Sequence, residues 1–294
     1  MEDNNEMKIL LIGKNGQVGR EIVAAAKRQN LTIFTYDHSE LDILNSKKLK
    51  TTILKHSPDI VINTAAYHVI AQCEVYPEKA FAINVFASKV LADICREKGI
   101  RLVTFSTDKV FDGTKKTPYR EGDRPNPLQM YGISEYARES VTLHYNPDSI
   151  VIRTCGIFGG KQGSVSKKGN FILYILSQAK TQASLEIASD HVASIASASD
   201  LAGAILRLIN IKKTSGIYHL VNEGYTSWAE YAEEIVKFAR LQMKIIRVKR
   251  GSTFNGLTIP LFAPLKNIRA REVGIVLPSW RDGLRRYVSF LRST

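Results

Sequence analysis

The sequence predicts an α/β protein: a Rossmann-type, doubly wound parallel sheet with a smaller C-terminal α/β lobe for substrate. Three observations predict it. An apolar run at residues 7–12 passes directly into Gly13-Lys14-Asn15-Gly16-Gln17-Val18-Gly19 and then a helical pattern. Strand-like and helix-like segments alternate from there to about residue 153, the pattern of βαβ units around a parallel sheet. Beyond about residue 155 the alternation loosens. The chain therefore divides into a dinucleotide-binding domain, 1–155, and a part at 156–294 that is mainly a substrate lobe, with some elements returning to the first domain.

Residues 7–12 have the continuous apolar character of a strand buried on both faces. The following helix runs through Val23, Ala24 and Ala26. A second strand at 31–36 ends at Asp37, a helix passes through Leu49 and Ile53, and 58–63 is a third strand. Residues 81–98 read as one long helix closed by Gly99. Residues 101–106 are a strand, 131–144 a helix and 149–153 a strand. The stretch 156–170, rich in Gly, Ser and Lys, reads as a mobile loop. Residues 171–179 read as a helix and 216–221 as a strand. Ser227-Trp228-Ala229-Glu230 is a capping box that opens a helix to about Arg240.

Composition narrows the function class. With 44% hydrophobic and 23% charged residues, the 294-residue chain is ordinary for a globular protein. It has no apolar run of membrane-spanning length, and Met1 to Glu6 is too acidic for a signal peptide. Cys73, Cys95 and Cys155 are widely spaced, and His68 and His191 lack metal-ligand spacing. The expectation is a reduced, cytoplasmic protein without a metal. The net charge of +13 gathers moderately at 244–250 and 281–292, where turns and helix faces are expected. No aromatic-interleaved basic strand accompanies it, so an anionic small substrate is preferred to nucleic acid as the partner.

The glycine spacing carries chemistry. Glycines between a strand and a helix let the backbone turn tightly and approach a pyrophosphate, and the helix N-terminus offers unpaired N–H groups. Asp37, at the end of the second strand, is placed to bond a ribose 2′-hydroxyl, which favours NADH. Lys14 could instead meet a 2′-phosphate, so NADH and NADPH both stand.

Together with Asn63-Thr64-Ala65-Ala66-Tyr67, Ser106-Thr107-Asp108 and Tyr131-Gly132, the glycine segment resembles the extended short-chain dehydrogenase/reductases, and among them the dTDP-4-dehydrorhamnose reductase family. Leu41-Asp42-Ile43, Val110-Phe111-Asp112-Gly113, Pro118-Tyr119, Arg153-Thr154, Gly169-Asn170-Phe171 and Pro278-Ser279-Trp280 extend the likeness over nearly the whole chain. The resemblance implies hydride transfer from NADPH or NADH to the 4-keto carbon of a nucleotide-linked 6-deoxysugar. It implies that Thr107 holds the sugar oxygen and Tyr131 donates the proton. Gly13, Asn15, Gly16, Gln17, Val18 and Gly19 would hold the pyrophosphate, Asp42 and Ile43 border the adenine, and Ala65, Ala66 and Tyr67 line the cofactor channel. Asn84 matches the family's helix asparagine. Asp108, Lys109, Arg153 and Asn170 fall on the substrate side. By analogy the assembly is a monomer or homodimer.

The chain also departs from that pattern. The family lysine four residues after the tyrosine, which binds the nicotinamide ribose and favours tyrosinate, is Glu135 here. Exchanging an opposite charge for a like one penalises tyrosinate by about 3–8 kcal/mol if Glu135 points inward and stays ionised. Ile70-Ala71, Gly156, residues 190–196, Ala263-Pro264 and Lys109 also differ from the family, where sugar nucleotide would bind. Lys109, beside Thr107, is either a replacement for the missing charge or a solvated surface lysine. Two functions follow: a reductase of an altered nucleotide sugar, or a cofactor-binding regulatory or scaffold subunit. Tyr131 and Thr107 favour the first; Glu135, Ala71, Gly156 and Ala263 favour the second.

Overall fold

The computed structural model describes residues 7–293 apart from 167 and 255. Six parallel strands form the central sheet. In chain order these are β1 (Lys8–Ile12), β2 (Thr32–Tyr36), β3 (Ile60–Asn63), β4 (Arg101–Thr107), β5 (Ile150–Thr154) and a late strand, Gly216–His219. They lie side by side as Gly216–His219, β5, β4, β3, β1, β2, each pair parallel. The order reverses between β1 and β3, so a crevice opens beyond their C-terminal ends, where doubly wound sheets bind ligands.

Helices cover both faces because the strands are apolar on both. On one face α1 (Gln17–Arg28) packs with a helix at Ala198–Asn210, burying Ile22, Ala26, Leu201 and Ile205 against Ile9, Leu11 and Ile62. On the other, α2 (Ser46–His56) and Ala87–Glu97 bury Leu49, Ile53, Leu91 and Cys95 against Leu10 and Val61. A third core, around Phe158, Ile175, Tyr231, Ile235 and Trp280, holds C-terminal elements together.

Several differences from the sequence reading have physical causes. The long helix begins earlier, at Pro77, whose fixed φ suits a first helical position. It runs Pro77–Phe81, then a π-helical turn at Ala82–Phe86, then Ala87–Glu97. The sequence reading passed over a short helix at Ile70–Val75 and the buried helix Ala198–Asn210. The basic run at 244–250, expected in turns and helix faces, contains a strand, Lys244–Val248, paired in parallel with Ser184–Ala188. That pairing joins segments about 60 residues apart and leaves no local signature. The capping-box helix is Trp228–Ala239, with the Ser227 hydroxyl accepting from Glu230 N. No described helix is long and apolar enough to cross a membrane.

Candidate active site

The glycine turn lies at the topological switch. Gly13 has φ +94°, and a β-carbon there would stand 2.4 Å from Thr64 Oγ1. A β-carbon at Gly19 would meet Gly13 O at 2.2 Å, so Gly19 is required for the helix to approach the turn. Gly16 differs. Its φ is −69°, and a β-carbon would make only ordinary contact, 3.4 Å from Gly13 O. The protein's own packing does not demand a glycine there; a group lying across the N-terminus of α1 would. That N-terminus has no side-chain cap and no acidic residue in its first turn, leaving its amides for an anion. The residues present thus fit a dinucleotide pyrophosphate.

Asp37 sits at the end of β2. Its carboxylate accepts from the Asn15 amide at 2.9 Å and the Ser39 hydroxyl at 2.7 Å. The Ser39 hydroxyl, then the Glu40 amide, hold its carboxyl below the usual range. Lys14 is engaged by Glu40 at 2.6 Å and lies 3.9 Å from Asp37. Asp42 accepts from Leu44 N at 3.0 Å and is partly exposed. Ile43 is a core residue, 5% exposed. Val18 is buried, and Gln17 reaches towards Ile157 O at 3.4 Å.

Between β3 and Ile70–Val75 the chain has no regular structure, so its backbone groups need partners from elsewhere. Tyr67 N donates to Asn84 Oδ1 at 2.8 Å, and Asn84 Nδ2 donates to Tyr67 O at 3.0 Å and Ser134 Oγ at 2.9 Å. Asn84, in the π turn, is fully buried with its amide engaged by protein groups. It holds the Ala65-Ala66-Tyr67 wall in place.

Thr107 ends β4 and Tyr131 lies in the first turn of the helix Met130–Tyr145. Gly132 lets the helix approach: a β-carbon there would lie 2.2 Å from Lys109 O. The half-buried Tyr131 faces Thr107, Asp108 and Glu135. Burial, then Glu135, pushes its phenol well above the usual value, while Arg138 and the Thr107 hydroxyl act the other way. Thr107 Oγ1 donates to Asp108 Oδ1 at 3.0 Å. Lys109 Nζ is 2.7 Å from Asp108 Oδ2. Its side chain is partly exposed and its charge is paired; burial would lower its pKa, and Asp108 raises it.

Glu135 points inward, 1% exposed. Its Oε2 lies 3.2 Å from Arg138 Nη1, yet among the described residues neither carboxylate oxygen receives a hydrogen bond. Burial pushes its carboxyl up to about 7, against the pull of Arg138. Arg138, equally buried, donates from Nε to Asn84 O at 2.9 Å, from Nη1 to Phe105 O at 3.1 Å, and from Nη2 to Asn84 Oδ1 at 2.8 Å and Ala65 O at 3.3 Å. The sequence reading missed Arg138. Its signal was a charged residue at i+7 from Tyr131, on the stripe that Glu135 also occupies.

Arg153 is corrected. It is 1% exposed, its Nε and Nη2 bonded to both oxygens of Glu139 at 2.7 and 2.6 Å, with its guanidinium over the Phe111 ring. It has no exposed donor for a substrate. Asn170 caps the helix Phe171–Gln178 and donates to Gln17 Oε1, at the glycine turn, at 3.3 Å and to Tyr287 Oη at 3.1 Å. His191 is engaged by Gly251 O at 2.7 Å. Gly156, with φ +55°, leaves no room for a side chain: a β-carbon would lie 2.7 Å from Ser194 O. Ala263 is buried. No described group of His, Cys, Asp or Glu could hold a metal.

The family described as RmlD substrate binding domain matches residues 7–293. The chain belongs to that family. Among relatives of this RmlD-family chain, the spore coat polysaccharide biosynthesis protein SpsK of Bacillus subtilis is 32% identical over 281 residues, 96% of each chain. A solved dTDP-4-dehydrorhamnose reductase from Clostridium acetobutylicum superposes with a TM-score of 0.91 at 30% identity, covering 97% of this chain and 100% of the other. A Bacillus anthracis dTDP-4-dehydrorhamnose reductase, solved in complex with NADP, gives 0.90 at 27% identity, covering 97% and 99%.

Proposed function

We propose that this protein is an NAD(P)H-dependent reductase of a nucleotide-linked 4-keto-6-deoxysugar. The observation that carries the reading is the meeting of Thr107 and Tyr131 at the crevice that opens beside the Gly16 cradle. When bound, the nicotinamide supplies the hydride. The α1 N-terminus and the glycine turn hold the pyrophosphate. Asp37 takes the adenosine ribose, and the Ala65-Ala66-Tyr67 wall, braced by Asn84, lines the nicotinamide channel. Thr107 bonds the sugar's carbonyl oxygen. Tyr131, kept as a phenol by its surroundings, gives its proton to that oxygen as it gains charge. Residues 1–155 form the cofactor half and 156–294 mainly the substrate half, with the strand Gly216–His219 returning to the sheet. A homodimer and a cytoplasmic setting, where Cys73, Cys95 and Cys155 stay reduced, belong to the same reading.

Glu135 favours a second reading. A buried carboxylate beside the proton donor opposes tyrosinate, which suits a cofactor-binding subunit without turnover. The test is titration of the protein with NADH and NADPH, followed by dTDP-4-keto-6-deoxyglucose, with the nicotinamide absorbance monitored for wild type and Glu135→Gln. Oxidation by the wild type supports the reductase. Binding without oxidation in either protein supports the second reading. No cofactor binding would overturn both.

A further inference from the structure

The charges around Tyr131 resolve into pairs. Asp108 and Lys109, from the end of β4, close on each other at 2.7 Å. Glu139, further along the helix, is closed by Arg153 at 2.6 Å. The remaining pair, Glu135 and Arg138, is built unevenly. Arg138 donates four hydrogen bonds to oxygens of Ala65, Asn84 and Phe105, which belong to three separate segments of the chain. A guanidinium is a cation with five N–H donors and no acceptor. Among the described residues Glu135 has only the 3.2 Å approach of Arg138, and neither of its oxygens receives a hydrogen bond. Tyr131, Glu135 and Arg138 stand at i, i+4 and i+7, one face of one helix.

We infer that Arg138 is the positioning cation of this site: from inside the protein it supplies the positive charge that lets Tyr131 release its proton, and Glu135 sets how much of that charge Tyr131 feels. The inference rests on the reductase reading. At 1% exposure Arg138 touches no ligand and transfers no proton. In the step it serves, the Tyr131 O–H bond breaks and the proton forms an O–H bond on the substrate's carbonyl oxygen as hydride reaches the carbon. The tyrosinate left behind faces Arg138 and is reprotonated from solvent. With a proton on Glu135 the pair is net positive; with Glu135 ionised it is neutral, and the help to tyrosinate is cancelled. The site thus holds its cation one helical turn further along than Glu135, fixed by three backbone carbonyls and the Asn84 side-chain oxygen.

The test reads Tyr131 directly, without needing turnover. Protein carrying ring-labelled carbon-13 tyrosine is titrated by NMR, with the Tyr131 signal assigned by its absence from Tyr131→Phe. Wild type, Glu135→Gln, Glu135→Gln/Arg138→Gln and Glu135→Gln/Arg138→Lys are compared. The double variants carry no uncompensated buried carboxylate, so they avoid the unfolding expected of Arg138→Gln alone. Glu135→Gln should ionise Tyr131 at least about tenfold more readily than wild type. Glu135→Gln/Arg138→Gln should lose that gain, and Glu135→Gln/Arg138→Lys should keep most of it. Equal midpoints in Glu135→Gln and Glu135→Gln/Arg138→Gln, or a Tyr131 that remains a phenol up to unfolding in Glu135→Gln, would overturn the inference. Where the proteins turn over, kcat should follow the same order with little change in cofactor KM. Absence of turnover in all of them would defeat the reductase reading and leave the titration standing.

Discussion

Glu135 and Arg138 lie 3.2 Å apart on one helix, both 1% exposed, and among the described residues only the Arg138 side chain of the two has hydrogen-bond partners. Carboxylate and guanidinium are equally buried. Burial, opposed by Arg138, pushes the Glu135 carboxyl up to about 7.

Stability should therefore fall with rising pH across that range. The folded protein holds the Glu135 proton up to about 7, whereas an unfolded glutamate releases it near 4.5. Between those values the folded state binds more proton, so each rise in pH favours unfolding. The stabilisation is complete below the lower value and lost by the upper, about 3 kcal/mol in all. Urea melts of wild type and Glu135→Gln across this window check it: the wild type should lose stability relative to the variant as pH rises, and parallel curves would refute it.

Gly16→Ala and Gly19→Ala should separate ligand binding from folding. A methyl at Gly16 meets nothing closer than 3.4 Å, so stability should change by less than about 1 kcal/mol. Cofactor affinity should drop tenfold or more, because the methyl occupies the pyrophosphate's approach. A methyl at Gly19 collides with Gly13 O, and stability should fall by about 1–3 kcal/mol. Calorimetry with and without NADPH tests both; unaltered cofactor affinity in Gly16→Ala would remove the cradle.

Asp37 should govern the choice of nicotinamide. Its carboxylate is held ionised by Ser39 and the Glu40 amide, and Lys14 is tied to Glu40. A 2′-phosphate would meet this anion. Asp37→Ser should raise affinity for NADPH relative to NADH by about tenfold, the scale of one like-charge contact. An unchanged ratio in paired binding titrations would exclude Asp37 from the ribose site.

Arg153→Met should damage the fold and spare the chemistry. Removing the guanidinium leaves Glu139 buried and unpaired, at a cost of about 3–5 kcal/mol. Substrate KM of the folded protein should be unaltered. A stable variant with a raised KM would return Arg153 to the substrate site.

Much of the scaffold was legible in the sequence. Parallel strands buried on both faces announce themselves as apolar runs, and the strand-glycine-helix junction has few other uses, so β1, the Gly13 turn and α1 were readable from residues 7–28. The Tyr131-Glu135 spacing was equally plain, because i, i+4 neighbours share a helix face whatever surrounds them. The helix Met130–Tyr145 shows where local pattern ends. Its buried residues include Ser134, Glu135, Arg138, Glu139 and Thr142, a polar stripe where an apolar one is usual. Periodicity alone could not say that this stripe faces inward.

The sequence by itself determined the strand-helix alternation of the first half, the glycine turn and the exchange of lysine for Glu135, since each is a matter of neighbours within a turn or two of chain. Only the tertiary structure decided that Glu135 is buried, that Arg138 is its partner, that Arg153 is spent on Glu139 and that the Asn84 amide is engaged inside the protein. Each of those depends on which distant segments pack against the helix Met130–Tyr145. Burial sets the strength of a charge and the availability of a donor, and burial is a property of the assembled fold.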